Sequence, residues 1–316
     1  MPRARGQHDT DTLAGWLPVR LELTDAEPAV HWLRCAGELD DSPPKFAGAV
    51  AKLRESGVAR RVTPLSAIAS ADLDRLAPTG FVFHLTRCGS TFVSNVLSAL
   101  PDAVVIKEAE PIDACLRADV AIPDASRSAW LVDVLAALGQ RFAGHERRYY
   151  VKFRSWNVLR HELIRARFPD VPCVFFYRDP IEVLVSLLRA EPPWTVEVVP
   201  GVTQVGPSKV EYYARVLAGF LERGLELADA GVPVVNFTEL RSGRLVEVLG
   251  ELGVPDTPEL RALIDHHGRV HSKDPSRAFV SDTAAKRSAA SPEMHAAIDR
   301  WARGLYDALE AKRAGA

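Results

Sequence analysis

The sequence predicts an α/β protein built on a parallel β-sheet with helices on both faces. Short apolar runs of strand length alternate with segments of helical periodicity from residue 81 to residue 252. The runs are nearly all apolar, as strands covered on both faces should be. This alternation places successive strands parallel in one sheet, because each helix returns the chain to the edge where it started.

Five strands and the helices that follow them are predicted from these patterns. The strands are 81–85, 103–107, 149–153, 173–177 and 232–237, and the helices are 92–100, 128–142, 156–167, 181–189, 209–227 and 238–252. Ligands of open parallel sheets bind at the carboxyl ends of the strands. The residues that directly follow each strand are therefore the candidate site residues.

The remaining segments are expected to surround this sheet. We predict a flexible tail at 1–15, a segment at 16–75 that packs on or caps the core, and an α/β domain at 76–316. A strand at 16–23 and a helix at 46–53 fall in the second segment. Residues 191–207 predict a loop, in which Pro192, Pro193 and Trp194 are expected to face the acceptor. Residues 268–290 are expected to lack regular structure, and a last helix is predicted at 291–311.

Charge and cysteine content exclude several classes of protein. Lys and Arg number 39 and Asp and Glu 41, a net charge of −2 over 316 residues, so the basic footprint of a nucleic-acid-binding protein is missing. No stretch approaches the ~18 apolar residues of a membrane span, and residues 1–15 lack the apolar core of a signal peptide. The four cysteines have no metal-site spacing and are expected to be reduced thiols in a cytoplasmic protein. Cys88 is expected to be accessible.

The stretch from 81 to 100 predicts a phosphate-binding loop. A strand leads into the small polar turn Thr86-Arg87-Cys88-Gly89-Ser90-Thr91, and helical spacing follows. This arrangement directs free N–H groups and a helix N-terminus at an anion. Arg87 adds a permanent positive charge, and Ser90 and Thr91 add hydroxyl donors.

Two better-known phosphate loops do not match. The nucleoside-triphosphate pattern G-x-x-x-x-G-K-[ST] has His84 at its first Gly and Ser90 at its Lys. A tyrosine-phosphatase loop built on Cys88 requires an Arg six residues later, where Ser94 stands.

Other charged residues follow the remaining strands. Arg178 ends the fourth strand, and Ser186 lies eight residues further on, in the next helix. Such a pair is able to converge on one phosphate. The alternative is that Arg178 only pairs with Asp179 or Glu182. At the ends of the second and third strands lie Glu108, Glu110 and Lys152, and the late basic segment carries Lys273, Arg277, Lys286 and Arg287.

These motifs resemble those of sulfotransferases that use 3′-phosphoadenosine-5′-phosphosulfate (PAPS). The turn at 86–91 looks like their 5′-phosphosulfate loop, in the form found in carbohydrate and protein-tyrosine sulfotransferases. The segment from 175 to 186 looks like their 3′-phosphate motif, and 234–240 is similar to a strand ending in Glu-Asp-Leu, with Thr238 in place of the first acid. The resemblance covers about residues 80–290.

The resemblance implies a fold related to nucleotide kinases and an in-line transfer of SO₃ from PAPS, without a metal. It implies that the loop residues Arg87, Cys88, Gly89, Ser90 and Thr91 hold the 5′ end. Arg178 and Ser186 would hold the 3′-phosphate, and Lys286 and Arg287 are expected to contribute to the same cofactor site.

The catalytic roles implied are a carboxylate base and two cations. Glu110, which Pro111 follows, matches the family's base best and Glu108 is second. Lys152 and Arg87 would stabilise charge on the transferring group. A Glu needs a raised pKa to act as a base at neutral pH, and we expect Glu108 and Glu110 to raise each other's pKa.

The function expected from the sequence is sulfuryl transfer to a hydroxyl or amine of a small acceptor, with no nucleic-acid or membrane partner. One alternative is a small-molecule or nucleotide kinase, which would need a magnesium site and a loop Lys. The other is an adenine-nucleotide-binding protein without turnover. The pattern His266, His267 and His271 is not expected to bind a metal, because Gly268 should break the helix between them. The oligomeric state is left open.

Overall fold

The computed structural model of the chain describes residues 12–24, 27–35, 37, 39–117, 122–191 and 208–315. The predictions for residues 1–11 and for 192–207, including Pro192, Pro193 and Trp194, lie outside the described residues. Within the described ranges, no helix combines the length and the apolar character that crossing a membrane requires.

Ten strands form three sheets in the described part of the chain. They are β1 (Trp16–Glu22), β2 (Ala29–Arg34), β3 (Arg60–Pro64), β4 (Gly80–His84), β5 (Ala103–Lys107), β6 (Arg148–Lys152), β7 (Cys173–Tyr177), β8 (Val234–Asn236), β9 (Val270–His271) and β10 (Asp274–Ala278). The central sheet is parallel, with the strand order β5-β6-β4-β7-β8. Helices flank this sheet, so the predicted α/β class is confirmed.

Thirteen α-helices connect and cover the strands in the described ranges. They are α1 (Phe46–Glu55), α2 (Ala67–Ser70), α3 (Ser90–Ser98), α4 (Glu110–Leu116), α5 (Asp124–Leu138), α6 (His161–Arg167), α7 (Pro180–Arg189), α8 (Lys209–Asp229), α9 (Gly243–Glu251), α10 (Pro258–Arg269), α11 (Thr283–Ser288), α12 (Pro292–Trp301) and α13 (Arg303–Ala314). Short 3-10 helices span Ser155–Arg160 and Phe237–Glu239.

Burial on both faces explains why the central strands are apolar. Every residue of β4 and of β7 is buried. Between the layers, the ring of Phe153 stacks on Phe83 at a centroid distance of 4.9 Å and packs edge-on against Phe81 at 5.2 Å. Such contacts anchor the strands, so the turns at their carboxyl ends start from fixed positions.

The N-terminal segment forms its own antiparallel sheet of β1, β2 and β3. The strand at 16–23 and the helix at 46–53 are confirmed, whereas β3 was not predicted. Its sequence, RRVTP, alternates exposed and half-buried positions and lacks an apolar run. β1 packs against α4 and α5, which brings this sheet close to the carboxyl edge of the central one. The predicted boundary at residue 75 stays a prediction.

The expectation of no regular structure at 268–290 is wrong. α10 continues through Gly268 to Arg269, β9 and β10 pair as an antiparallel hairpin, and α11 follows. A single glycine costs a helix only about 1 kcal/mol, so it does not end α10. The segment looked irregular because most of its hairpin is exposed and carries no apolar periodicity. The predicted last helix is divided at Ala302 into α12 and α13.

Candidate functional site

The candidate site lies at the carboxyl edge of the central sheet, where four neighbouring strands end. β5 ends at Lys107, β6 at Lys152, β4 at His84 and β7 at Tyr177, and these strands lie side by side in that order. Because parallel strands place their carboxyl ends on one edge, the residues predicted from four separate stretches of sequence are brought to that edge.

The turn between β4 and α3 has two residues in the left-handed region. Gly89 has a φ of +85°, and a Cβ at this position would lie 2.5 Å from Cδ1 of Leu240, so a glycine is required. Arg87 has a φ of +57°, which is strained for a residue with a side chain. α3 begins at Ser90, which is buried, and Thr91 is half-buried. The free N–H groups of its first turn therefore lie at the carboxyl edge.

Cys88 is not accessible, so that expectation is wrong. The side chain is fully buried in the core, between the two left-handed residues of the turn. Burial raises the pKa of its thiol to about 11, although the positive charges of Lys152 and Arg178 act in the opposite direction. Cys88 is thus a packing residue of the loop, and its backbone is the part able to face a ligand.

Glu108 holds two lysines at the end of β5. Its Oε1 lies 2.5 Å from Nζ of Lys152, and its Oε2 lies 3.0 Å from Nζ of Lys45. Burial alone would raise the pKa of this carboxyl, but its positive neighbours, Lys152 foremost and then His84 and Lys45, together outweigh burial and hold the pKa well below its usual value. Glu108 is therefore a carboxylate with its lone pairs engaged, and it is a poor base.

Two further cations belong to this cluster. Lys45 comes from the N-terminal segment, just before α1, and no sequence pattern connected it with Glu108. Lys273 comes from the turn between β9 and β10. Its side chain keeps contact with solvent, yet partial burial of the ammonium, followed by the charges of Arg87 and Lys45, lowers its pKa to about 8. We call Lys45, Arg87, Glu108, Lys152 and Lys273 the loop cluster.

Glu110 is separate from this ion-pair system. Its Oε2 accepts a hydrogen bond from the backbone N–H of Leu21 in β1 at 2.9 Å. Burial raises the pKa of the Glu110 carboxyl above its ordinary value, and this effect outweighs the hydrogen bond from Leu21 and the charge of Arg20. Among the described residues, no donor contacts its Oε1. A half-buried carboxyl with a raised pKa and one open oxygen has the properties of a general base.

The expectation that Glu108 and Glu110 raise each other's pKa is wrong. The pKa of Glu108 is lowered by Lys152, and that of Glu110 is raised by burial and by the charge of Asp113. The two side chains differ because Glu108 adopts a left-handed backbone, with a φ of +61°, whereas Glu110 opens α4. The turn at 108–110 therefore directs the carboxylate of Glu108 to β6 and that of Glu110 to β1.

Arg178, directly after β7, lies in a second charged cluster. Its Nε and Nη2 both lie 2.7 Å from Oε2 of Glu182, and Nη2 donates to Oδ1 of Asp282 at 2.8 Å. The guanidinium carbon lies 3.9 Å from the centre of the Phe237 ring. The pairing with Glu182 that the sequence offered as an alternative is thus present. Two carboxylates and one aromatic ring hold the guanidinium of Arg178 in place.

Lys286 and Arg287 join the same cluster from α11. Nζ of Lys286 lies 2.9 Å from Oδ2 of Asp282, and Nε of Arg287 lies 2.9 Å from Oε1 of Glu182. We call Arg178, Glu182, Asp282, Lys286 and Arg287 the Arg178 cluster. Ser186 lies one helical turn beyond Glu182 on the same side of α7 and is half-buried. Lys286 and Arg287, which the sequence predicted for the cofactor site without assigning them to either end, therefore lie beside Arg178.

The two clusters start from adjacent strands. β4 and β7 pair directly, with His84 opposite Phe176, so the turn at 86–91 and Arg178 leave the sheet side by side. Strands in a sheet are about 4.8 Å apart. Nη2 of Arg87 also donates to the backbone oxygen of Ala190 at 2.8 Å, which links the loop cluster to the end of α7. The two cationic sites therefore flank one stretch of the sheet edge.

One group of three ligand-type side chains occurs among the described residues. The ligand atoms of His161, Glu162 and Glu226 lie within 4.8 Å of one another, and Nη1 of Arg223 lies 2.6 Å from Oε1 of Glu226. Arg223 already pairs with both carboxylates of this group, which contains none of the predicted site residues. In the described ranges, His266, His267 and His271 do not form such a group.

Similarity to known proteins is found among solved structures. No protein-family model matches the chain, and no curated protein matches its sequence. Among solved structures, the chain is similar to sulfotransferase STF9 from Mycobacterium avium, with 14% identity and a TM-score of 0.44 over 74% of this chain and 79% of that one. It is also similar to sulfotransferase STF1 from Mycobacterium tuberculosis H37Rv, with 15% identity and a TM-score of 0.40 over 74% and 78%.

Proposed function

We propose that this protein is a sulfotransferase that moves a sulfuryl group from PAPS to a hydroxyl or amine of a small acceptor. The observation that carries the proposal is the pairing of β4 with β7, which sets the loop cluster beside Arg178. A ligand with anionic groups at two ends matches cations that follow two neighbouring strands of the sheet.

The residues at each site fit the two ends of PAPS. The turn at 86–91 offers the N-terminus of α3 and the charge of Arg87 for the 5′-phosphosulfate. Arg178, Lys286 and Arg287 offer three cations for the 3′-phosphate, and the hydroxyl of Ser186 lies on the helix between them. Phe237 stacks on Arg178 and so holds the guanidinium at the place proposed for this phosphate.

PAPS supplies an activated sulfuryl group with a phosphate as the leaving group. As the acceptor oxygen bonds to sulfur, the bond from sulfur to the bridging oxygen breaks, and its electron pair remains on the nucleotide. Arg87 and Lys152 are the charges that stabilise this developing anion. Glu110 takes the acceptor proton, because burial raises the pKa of its carboxyl. Glu108 holds the side chain of Lys152 in place.

Calorimetry in the presence of EDTA tests the donor. We expect adenosine 3′,5′-bisphosphate to bind without magnesium and more tightly than ATP does. A preference for magnesium-bound ATP would point to the kinase alternative. Conversion of PAPS to the bisphosphate, measured against a panel of small hydroxyl and amine acceptors, then tests the transfer. Tight bisphosphate binding without acceptor-dependent conversion would favour a nucleotide-binding protein without turnover.

A further inference from the structure

The Arg178 cluster contains a carboxylate that bridges two of its cations. Oδ1 of Asp282 lies 2.8 Å from Nη2 of Arg178, and Oδ2 lies 2.9 Å from Nζ of Lys286. A hydroxyl, Oγ1 of Thr283, accepts from the same nitrogen of Arg178 at 3.2 Å. The two oxygens of Asp282 thus contact two cations in the way that two oxygens of a phosphate would.

The other carboxylate of the cluster has a different position. The side chain of Glu182 is 3% exposed, and it lies between Arg178 and Arg287 within α7. The side chain of Asp282 is 52% exposed, and it sits at the start of the short helix α11. Displacement of Glu182 would remove the buried counter-ion that Arg178 and Arg287 share, whereas a half-exposed aspartate is able to rotate into solvent. Asp282 is therefore the partner that a ligand is able to replace.

The charges of the cluster agree with an exchange of this kind. Arg178, Lys286 and Arg287 are balanced by Glu182 and Asp282, with Asp179 lying 3.5 Å from Arg287. A 3′-phosphate added to this set would lie against Asp282 and would be repelled by it. With Asp282 rotated away, a phosphate dianion would contact both cations and carry more charge than the aspartate it replaced.

We propose that Asp282 is a resident counter-ion that the 3′-phosphate must displace, and that it determines the affinity and selectivity of nucleotide binding. The proposal rests on the function proposed above and concerns the same site. A nucleotide with a 3′-hydroxyl lacks the charge to displace Asp282, so it gains nothing from Arg178 and Lys286. A nucleotide with a 3′-phosphate forms contacts with both cations. Its net gain in binding free energy is that of these contacts minus the free energy of separating the cations from Asp282.

Binding measurements on Asp282→Asn test this proposal without an assay of turnover. The probes are adenosine 3′,5′-bisphosphate and adenosine 5′-monophosphate, and both are titrated by calorimetry. We expect the variant to bind the bisphosphate about tenfold more tightly, the factor for a wild type in which Asp282 occupies the two cations in about nine-tenths of the molecules and leaves them open in about one-tenth. The affinity for the monophosphate should stay within about twofold. Asp256→Asn, which removes an exposed pair with Arg261, is the matched control and should change neither affinity.

The possible outcomes separate this proposal from the proposed function. If Asp282 instead holds Arg178 in position for the phosphate, the variant will bind the bisphosphate more weakly, and the proposal is overturned. An unchanged affinity overturns it as well. If the wild-type protein binds neither nucleotide, both the proposed donor and this inference fall. Asp282→Ser serves as a second variant if Asp282→Asn lowers the melting temperature, and the same expectation applies to it.

Discussion

Glu108 and Lys152 form a buried ion pair between the ends of two neighbouring strands, with Oε1 2.5 Å from Nζ. The side chain of Lys152 is 1% exposed, so this charge has little access to water. Glu108 reaches it from a left-handed backbone conformation, with a φ of +61°, which for a non-glycine residue costs on the order of 1–3 kcal/mol. The contact offsets that strain and fixes the position of the lysine at the site.

Glu108→Gln should destabilise the fold by about 3 kcal/mol or more, because it leaves Lys152 as a buried charge without its closest counter-ion. Urea denaturation at pH 7 measures the difference. Glu191→Gln is the control: it removes a pair with Lys209 in which both side chains are well exposed, and less than about 1 kcal/mol should be lost. Equal losses in the two variants would contradict the role assigned to the buried pair.

The pair also predicts how stability depends on pH. The pKa of Glu108 is lower in the folded protein than its unfolded value of about 4.3. Its contribution is therefore complete above that value and is lost as the pH falls through the lower, folded pKa. The difference in unfolding free energy between wild type and Glu108→Gln should stay constant from pH 8 to about pH 5 and shrink in stronger acid. A difference that grows on acidification would contradict the assignment.

Glu110→Gln should reduce kcat by about a hundredfold or more, since a general base contributes about 10²–10⁴, and should keep bisphosphate affinity. In the wild type, kcat/KM should fall on acidification through an apparent pKa above the ordinary glutamate value, because burial raises the pKa of this carboxyl. Steady-state kinetics between pH 4 and pH 9 measure both effects. Full turnover in this variant would remove Glu110 as the base.

Lys45→Met should lower kcat several-fold while costing less than about 1 kcal/mol of stability, because the side chain is 58% exposed. The loss is expected because Lys45 adds to the positive potential at the loop cluster. Lys52→Met is the matched control: Lys52 is 55% exposed and pairs with Asp40 on the same segment of the chain. If both variants retain full turnover, Lys45 is only a surface ion pair.

Arg178→Ala should weaken the binding of adenosine 3′,5′-bisphosphate by about thirtyfold. This factor corresponds to ~2 kcal/mol, as expected for loss of a charge-assisted contact. The affinity for adenosine 5′-monophosphate should change by less than about threefold, since that nucleotide has no group for Arg178 to bind. Calorimetry measures both, with Arg244→Ala, in a surface pair with Glu247, as the control. Equal losses for the two nucleotides would exclude Arg178 from a 3′-phosphate site.

Cys88 should be unreactive towards thiol reagents in the native protein. All four cysteines are buried, and burial raises the pKa of the Cys88 thiol to about 11, so the reactive thiolate is scarce at pH 8. Absorbance titration with a disulfide reagent should detect the thiols only after denaturation. A thiol that reacts rapidly in the native wild type and is missing from Cys88→Ser would contradict the buried position.

Much of the fold was predictable because the central strands are covered on both faces. Continuous apolar runs such as 173–177 are visible without any partner, and each ends at a polar residue that marks the edge of the sheet. The hairpin of β9 and β10 was not predictable in this way, since most of its residues are exposed and their order comes from pairing with each other. β3 was missed for the same reason.

The sequence likewise predicted some residues of the candidate site and missed others. The sequence placed Lys152 and Arg178 at the carboxyl edge from position alone, because a charged residue that ends an apolar strand must lie there, and it placed Arg87 there from the polar turn that follows β4. Lys45 was missed, because its contact with Glu108 joins two distant segments of the chain. The accessible Cys88 was a wrong expectation because a loop position does not determine the direction of a side chain, and two left-handed residues flank this one.

The α/β class, the strand ends and the spacing from Arg178 to Ser186 could be read from the order of residues alone, since they depend on local hydrophobic patterns and short-range order. Three relationships became visible only in the folded chain: β4 and β7 are neighbours, Glu108 holds Lys152 while Glu110 keeps an open oxygen, and Asp282 bridges Arg178 and Lys286. The physical reason is that burial and charge act over a few ångströms of space, and residues far apart in the chain reach that distance only when the sheet has formed.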